Sequence, residues 1–319
     1  MPSEFDLIAR FFTRPTPDIT LGIGDDCALL TPKPGMQTAI SCDMLVSGIH
    51  FFADTDPRQL GHKSLAVNLS DLAAMGARPV AFTLALSLPA SDEAWLKPFS
   101  EGLFALAEKH HCELIGGDTT RGPLSVCITV LGEVPSGEAL RRDQARVGDD
   151  IWVSGTLGEA RAALEFLKGT ISLDAEVMGD ALTHLQMPTP RVELGMAIRR
   201  HAHAAIDLSD GLIGDLSHIL NRSKAGATIN IDTLPAGQVL HDQPHDFQLR
   251  CMLAGGDDYE LCFTAPVSSR TAILEAARQT GTAVAVIGTI EKAAGLRLVN
   301  AKGEPQAFAD KSFDHFSTT

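Results

Sequence analysis

The 319-residue chain is poor in aromatic residues, with one tyrosine, two tryptophans and 5% aromatics in all, and poor in basic charge, with 26 Lys and Arg against 40 Asp and Glu. Its formal charge of −14 repels a polyphosphate backbone, so nucleic acid is not an expected partner. Long apolar runs are missing as well. The longest stretch without charge, residues 79–91, includes Thr83 and Ser87 and falls short of the ~20 apolar residues of a membrane span, so no membrane partner is expected. Glu4, Asp6 and Arg10 occupy the place of a secretion signal, which points to the cytoplasm. Six cysteines form no Cys-x-x-Cys, a pattern that argues against a zinc site or disulfide framework and for reduced thiols, most of them in the core.

Familiar catalytic loops are also absent. Gly61-His62-Lys63-Ser64 imitates only the end of a P-loop, and Gly22-Ile23-Gly24-Asp25-Asp26-Cys27 lacks the third glycine of a dinucleotide fingerprint. There is no His-Glu-x-x-His and no Gly-x-Ser-x-Gly. Hydride transfer, zinc proteolysis and serine hydrolysis lose their usual signals.

What is present is ordinary globular composition, 45% hydrophobic and 21% charged, in a chain long enough for two modest domains. Apolar periodicity at Phe5, Ile8 and Phe12 predicts a first helix capped by Ser3. Strands are predicted at 38–46, 80–88, 112–115 and 125–131, with helices from Asp56-Pro57 to Gly76 and over 92–110. Residues 135–150 lack an apolar period and read as a linker. Beyond it, strands at 151–154, 204–208, 228–231, 259–264 and 284–290 alternate with helices at 159–167, 192–200, 212–220 and 271–278. The expectation is an α/β protein of α+β type, with domains at 1–136 and 137–319.

Aspartates recur at the ends of apolar runs: Asp25 and Asp26, Asp43, Asp118, Asp207 and Asp210. One such residue is ordinarily a turn former or cap, but α/β sites gather at strand ends and the repetition is unusual. Asn68 and Asp71 share a helix face beside a Leu65, Leu69, Leu72 stripe. Carboxylates gathered in one cleft need cations, and oxygen ligands select hard ions such as Mg²⁺. Glycines at 22, 24, 116 and 117 would let backbone N–H groups approach phosphate oxygens, so the pattern suggests phosphoryl chemistry.

Six ordered motifs then resemble the thiamine-monophosphate kinase family: Gly22–Asp26, Asp43–Phe51, Ala66–Gly76, Gly116–Thr120, Asp207–Gly211 and Gly255–Glu260, with Phe313-Asp314-His315-Phe316 near the end. The resemblance implies an aminoimidazole ribonucleotide synthetase-like fold of two domains, the first binding ATP and Mg²⁺ and pairing its sheet across a homodimer. It implies ATP-dependent phosphorylation of thiamine monophosphate to thiamine diphosphate, the final step of that cofactor's biosynthesis. Asp26, Ser41, Cys42, Asp43, Asp71, Asp118, Asp207 and Asp210 match magnesium positions, some through carbonyls. Gly117, Asp118, Arg142 and Ser209 match nucleotide contacts, and His50, Asp257 and Phe313 match the thiamine phosphate site. Asp71, Asp118, Asp210 and Arg142 would carry catalysis. Two positions depart from the family, which commonly has Thr at 42 and Glu at 257.

Two other readings stay in view. Selenophosphate synthesis would need a reactive Cys and a nearby Lys in the N-terminal segment, and residues 1–21 hold neither. A noncatalytic divalent-metal protein would form no ADP with thiamine monophosphate.

Overall fold

The computed structural model describes residues 3–313. It divides into two compact units, one reaching to Leu72 and resuming over Ala77–Gly137, the other made of Ala73–Gly76 and the chain from Glu138 onward.

In the first unit, α1 (Glu4–Leu7) opens on a reciprocal cap: the Ser3 N–H donates to the Asp6 carboxylate and the Asp6 N–H to the Ser3 hydroxyl. The helix then widens into a π turn over Ile8–Phe12, closed by Thr13 N–H on the Ile8 carbonyl. That extra residue rotates the apolar face. Leu7, Phe11 and Phe12 are buried, whereas Phe5, predicted to belong to the buried stripe, is exposed.

β1 (Met36–Val46), α2 (Pro57–Ala74), β2 (Arg78–Leu88), α3 (Glu93–Lys109), β3 (Glu113–Arg121) and β4 (Ser125–Pro135) follow. They form a four-stranded sheet in the order β1-β4-β2-β3, antiparallel except for the β2–β3 pair. Leu65, Leu69 and Leu72 of α2 and Leu96, Phe99 and Leu103 of α3 are fully buried. Gly61–Ser64 lies inside α2, which removes any resemblance to a phosphate loop. β3 runs six residues past its predicted end at 115, because Gly116 and Gly117 do not turn the chain. A bulge that leaves Ile115 of β3 extra, opposite the step from Phe82 to Thr83, lets them stay paired with β2.

The second unit holds β5 (Asp150–Ser154), α4 (Glu159–Leu167), α5 (Ala175–Gln186), α6 (Val192–Ile198), β6 (Ala204–Asp207), α7 (Leu212–Ser223), β7 (Gly226–Asn230), α8 (His245–Ala254), β8 (Leu261–Ala265), α9 (Arg270–Thr280), β9 (Val284–Glu291) and β10 (Gly295–Val299). Its six-stranded sheet runs β10-β7-β9-β5-β8-β6. Ile151 and Val153 of β5, Ile206 of β6, Leu216 and Ile219 of α7 and Cys262 of β8 share one apolar core. The helices α5 and α8 and the strand β10 were not foreseen. Gly179 interrupts the first, and in the second Phe247 stands among the polar His245, Asp246 and Gln248, so neither shows a clean apolar period.

All six cysteines are free. Cys112, Cys251 and Cys262 are buried, but Cys27 lies on an exposed loop and Cys42 on an uncovered strand face, so only half of the set is core. Among the described residues no helix is long and apolar enough to cross a membrane.

Candidate active site

Within the first unit the expected residues start from β1. Side chains alternate across a strand, so Ser41 and Asp43 share one face and Cys42 takes the other. Ser41 donates its hydroxyl to the carboxylate of Asp71 on α2. The Asp43 N–H donates to the side-chain oxygen of Asn68, one turn earlier on that helix, at 3.1 Å. Asn68 is buried and returns its amide to the Ser64 carbonyl at 3.0 Å, so a core-anchored side chain holds this part of β1. Cys42 instead places its sulfur 3.4 Å from that of Cys127, a half-buried thiol that burial pushes up to about 11. Any role of Cys42 beside Ser41 and Asp43 falls to its carbonyl.

Asp43 sits inside β1, within the predicted strand at 38–46, whereas Asp118 sits inside β3 rather than beyond its end, where the prediction to 115 had put it. Asp118 is exposed and in register with Ala85. Gly117 before it has φ 147°, and a Cβ there would stand 1.8 Å from the Leu84 carbonyl, so only glycine fits this close approach. Past the end of β1, a tight turn through Gly48 lets the His50 Nδ1 accept the Val46 N–H at 3.0 Å, which leaves the proton of the neutral ring on Nε2. Asp26 lies on an exposed loop, its N–H donating to the Asp25 carboxylate at 2.8 Å.

The second unit brings three remote segments together. β6 and β8 pair from Ala204–Thr264 to Asp207–Leu261, and the pairing continues past the strands. Leu208 N–H donates to the Glu260 carbonyl, Tyr259 N–H to that of Leu208 (both 2.8 Å) and Asp257 N–H to that of Ser209 at 2.9 Å. The Asp207–Gly211 and Gly255–Glu260 motifs are therefore one continuous structure. Asp257 and Tyr259 both adopt positive φ, 68° and 49°, and the Tyr259 hydroxyl donates to the Asp257 carboxylate at 3.2 Å. The third segment is the C-terminal tail: Phe313 N–H donates to the Asp210 carbonyl at 3.1 Å, and the Gly214 N–H donates to the Ser312 hydroxyl at 2.9 Å. A cavity of about 580 Å³ opens beside it, walled by Ile213, Ser217, Leu298, Pro305 and Phe308.

Arg142 is not drawn into this cluster. Its carbonyl accepts the hydroxyl of Ser223 at 2.9 Å, at the far end of α7. Twelve helical residues, about 18 Å, thus separate its backbone from the 207–211 loop.

Carboxyl groups under the cluster are perturbed in a consistent direction. Burial, reinforced by the charge of Asp210, pushes Asp215 up to about 7. Burial also drives Asp258 well above its ordinary 3.8, although its carboxylate accepts the Gly158 N–H at 3.0 Å. Glu260 is held by Arg191 through paired hydrogen bonds, one of 2.7 Å from Nε, and also accepts the Ser154 hydroxyl. Among the described residues no three His, Cys, Asp or Glu side chains stand at metal-binding spacing. The groups that do meet, the Ser41 hydroxyl and the Asp71 carboxylate, with Asp43 on the same face of β1 as Ser41, offer oxygen donors only. They suit a hard cation that takes few protein ligands and fills its shell with water and phosphate oxygens.

The comparisons agree on what kind of molecule this is. Residues 24–134 match the family described as AIR synthase related protein, N-terminal domain, and residues 146–300 match the corresponding C-terminal domain. The hydrogenase maturation protein HypE, at 19% identity and a TM-score of 0.79, shares this fold. Similarity at the level of sequence is more specific. The chain is 48% identical to the thiamine-monophosphate kinase of Salmonella typhimurium over 99% of its own length and 98% of that protein's, and equally so to that of Escherichia coli K12. The crystal structure of thiamine-monophosphate kinase from Stenotrophomonas maltophilia matches with 47% identity and a TM-score of 0.85, covering 94% of this chain and 95% of that one. AaThiL complexed with AMPPCP and TMP matches with 27% identity and a TM-score of 0.78, over 90% and 89%. The chain belongs to the thiamine-monophosphate kinase family.

Proposed function

We propose that this chain transfers the γ-phosphoryl group of ATP directly to the phosphate of thiamine monophosphate, giving thiamine diphosphate and ADP. The observation that carries the reading is the meeting of Ser209, Asp210, Asp257 and Phe313 around one hydrogen-bonded loop in a chain so closely related to kinases of this name. The acceptor needs no strong general base, since a phosphate monoester with a second pKa of about 6 is largely dianionic at neutral pH. The work left to the protein is holding two anions in line.

Asp26, Ser41, Asp43, Asp71, Asp118, Asp207, Asp210 and the Cys42 carbonyl would hold Mg²⁺. When bound, the metal supplies charge neutralisation between the phosphates. Gly117, with its exposed backbone, and Asp118, Ser209 and Arg142 would contact the nucleotide. Asp257 would accept a hydrogen bond from the aminopyrimidine, Phe313 would pack on a ring, and His50 would donate from Nε2 to the thiamine phosphate.

A cytoplasmic homodimer completes the proposal. Ile40 and Met44 are 65% and 57% exposed on the same uncovered face of β1 as Cys42, an apolar patch suited to a second copy of the chain. A coupled ADP assay across candidate phosphate acceptors tests the activity. ADP release that does not depend on thiamine monophosphate would refute it, and a monomer by light scattering would refute the dimer.

A further inference from the structure

The loop that presents Ser209 and Asp210 has almost every backbone polar group assigned. The Ser209 carbonyl accepts from Asp257, and the Asp210 carbonyl from Phe313. The two N–H groups, of Asp210 and Gly211, both point to one oxygen, Oδ2 of Asp215, at 3.1 Å each. Asp215 lies in the first turn of α7 and is 3% exposed. The helix has no side-chain cap of its own, because Gly211 occupies the cap position with φ 116° and ψ 147°. A Cβ at Gly211 would approach the Ala254 carbonyl carbon to 2.9 Å, so the cap cannot be moved there. A carboxyl from inside the helix therefore reaches back to the N–H groups at and before the cap, as the second half of a capping box does, while the Ser312 hydroxyl takes the Gly214 N–H.

Burying that carboxyl is unfavourable, and its neighbour Asp210 makes it more so. A cap for stability alone needs neither. What Asp215 does at this place is fix the peptide planes on both sides of Asp210, and so the direction in which the Ser209 and Asp210 side chains leave the backbone. We infer that Asp215 is a positioning residue for phosphoryl transfer: it touches neither nucleotide nor acceptor, but holds the loop that presents Ser209 to ATP and Asp210 to its cation. The inference rests on the kinase reading above, and its required property is a hydrogen-bond acceptor at this spot rather than a charge.

The experiment compares Asp215→Asn, which keeps an acceptor oxygen, with Asp215→Ala and the nearly isosteric Asp215→Leu, which do not. Measurements are kcat and KM for ATP, calorimetric affinity for the methylene ATP analogue with Mg²⁺, and the thermal midpoint. Misplacement by about 1 Å costs up to ~100-fold, so the Ala and Leu variants should lose roughly 30-fold in kcat/KM for ATP and bind the analogue several-fold more weakly while still folded. Asp215→Asn should stay within about threefold of the parent. Two results overturn the inference: a lowered midpoint with analogue affinity and kinetics unchanged in the folded Ala or Leu variant, or an Asn variant as impaired as these. If the parent protein makes no ADP with thiamine monophosphate, the kinase reading fails by itself, and the analogue affinities still decide the role of Asp215.

Discussion

The N–H of Asp257 and the carbonyl of Ser209 are hydrogen-bonded at 2.9 Å, which ties a residue proposed for thiamine phosphate to one proposed for ATP through the backbone. Neither backbone segment can shift without moving the other. Predictions about the two ligands therefore have to be separated by kinetics.

Asp257→Ala and Phe313→Ala are each expected to raise KM for thiamine monophosphate roughly tenfold, about 1.4 kcal/mol, with kcat and the KM for ATP little changed. Both proposed contacts are to the ring systems of the acceptor rather than to the transferred phosphoryl group. Asp257→Glu, which restores the commoner family residue, should lower that KM. Steady-state kinetics with ATP saturating gives the answer, and an unchanged KM in Asp257→Ala moves the pyrimidine pocket elsewhere.

Asp71 accepts from Ser41 in a cluster whose donors are all oxygen. Asp71→Asn and Asp118→Asn are expected to abolish turnover while circular dichroism and the thermal midpoint stay close to the parent's, since each removes one negative charge from the proposed Mg²⁺ site. Near-normal kcat at saturating Mg²⁺ would remove these residues from the metal site.

The Arg191–Glu260 pair has side chains 18% and 3% exposed and lies just beyond the Asp257 loop. Breaking it from one side leaves an uncompensated buried charge, so Arg191→Met should destabilise the fold by about 3–5 kcal/mol in urea unfolding. Adding Glu260→Gln should recover much of that loss. A double variant no better than the single would show that the charge is not what matters.

Asp258 supplies the pH dependence. Its folded pKa is raised above the unfolded 3.8, so its favourable contribution is complete below that value and is lost as pH rises toward and through the folded pKa. Asp258→Asn cannot ionise and should lose less stability between pH 5 and 8 than the parent does, as read from urea midpoints at each pH. Parallel curves for the two proteins would show that Asp258 is not desolvated as the geometry implies.

The alternation of strands and helices, the Leu65–Leu69–Leu72 stripe and the ordered motifs that carry the family resemblance were legible in the sequence alone, because periodicity, caps and short motifs are local. The sequence could not place Gly116 and Gly117 inside a strand, since that depends on a bulge at Ile115 in the β2–β3 pairing, nor assign Phe5 to solvent, since one π turn rotated the face. Ser41 and Cys42 look alike in a sequence, and only the pleat and α2 put one on Asp71 and the other on Cys127. Asp215 has no motif of its own. It becomes visible when the β6–β8 register, the tail and the first turn of α7 leave the two N–H groups of Asp210 and Gly211 with one buried acceptor, a condition set by three-dimensional packing.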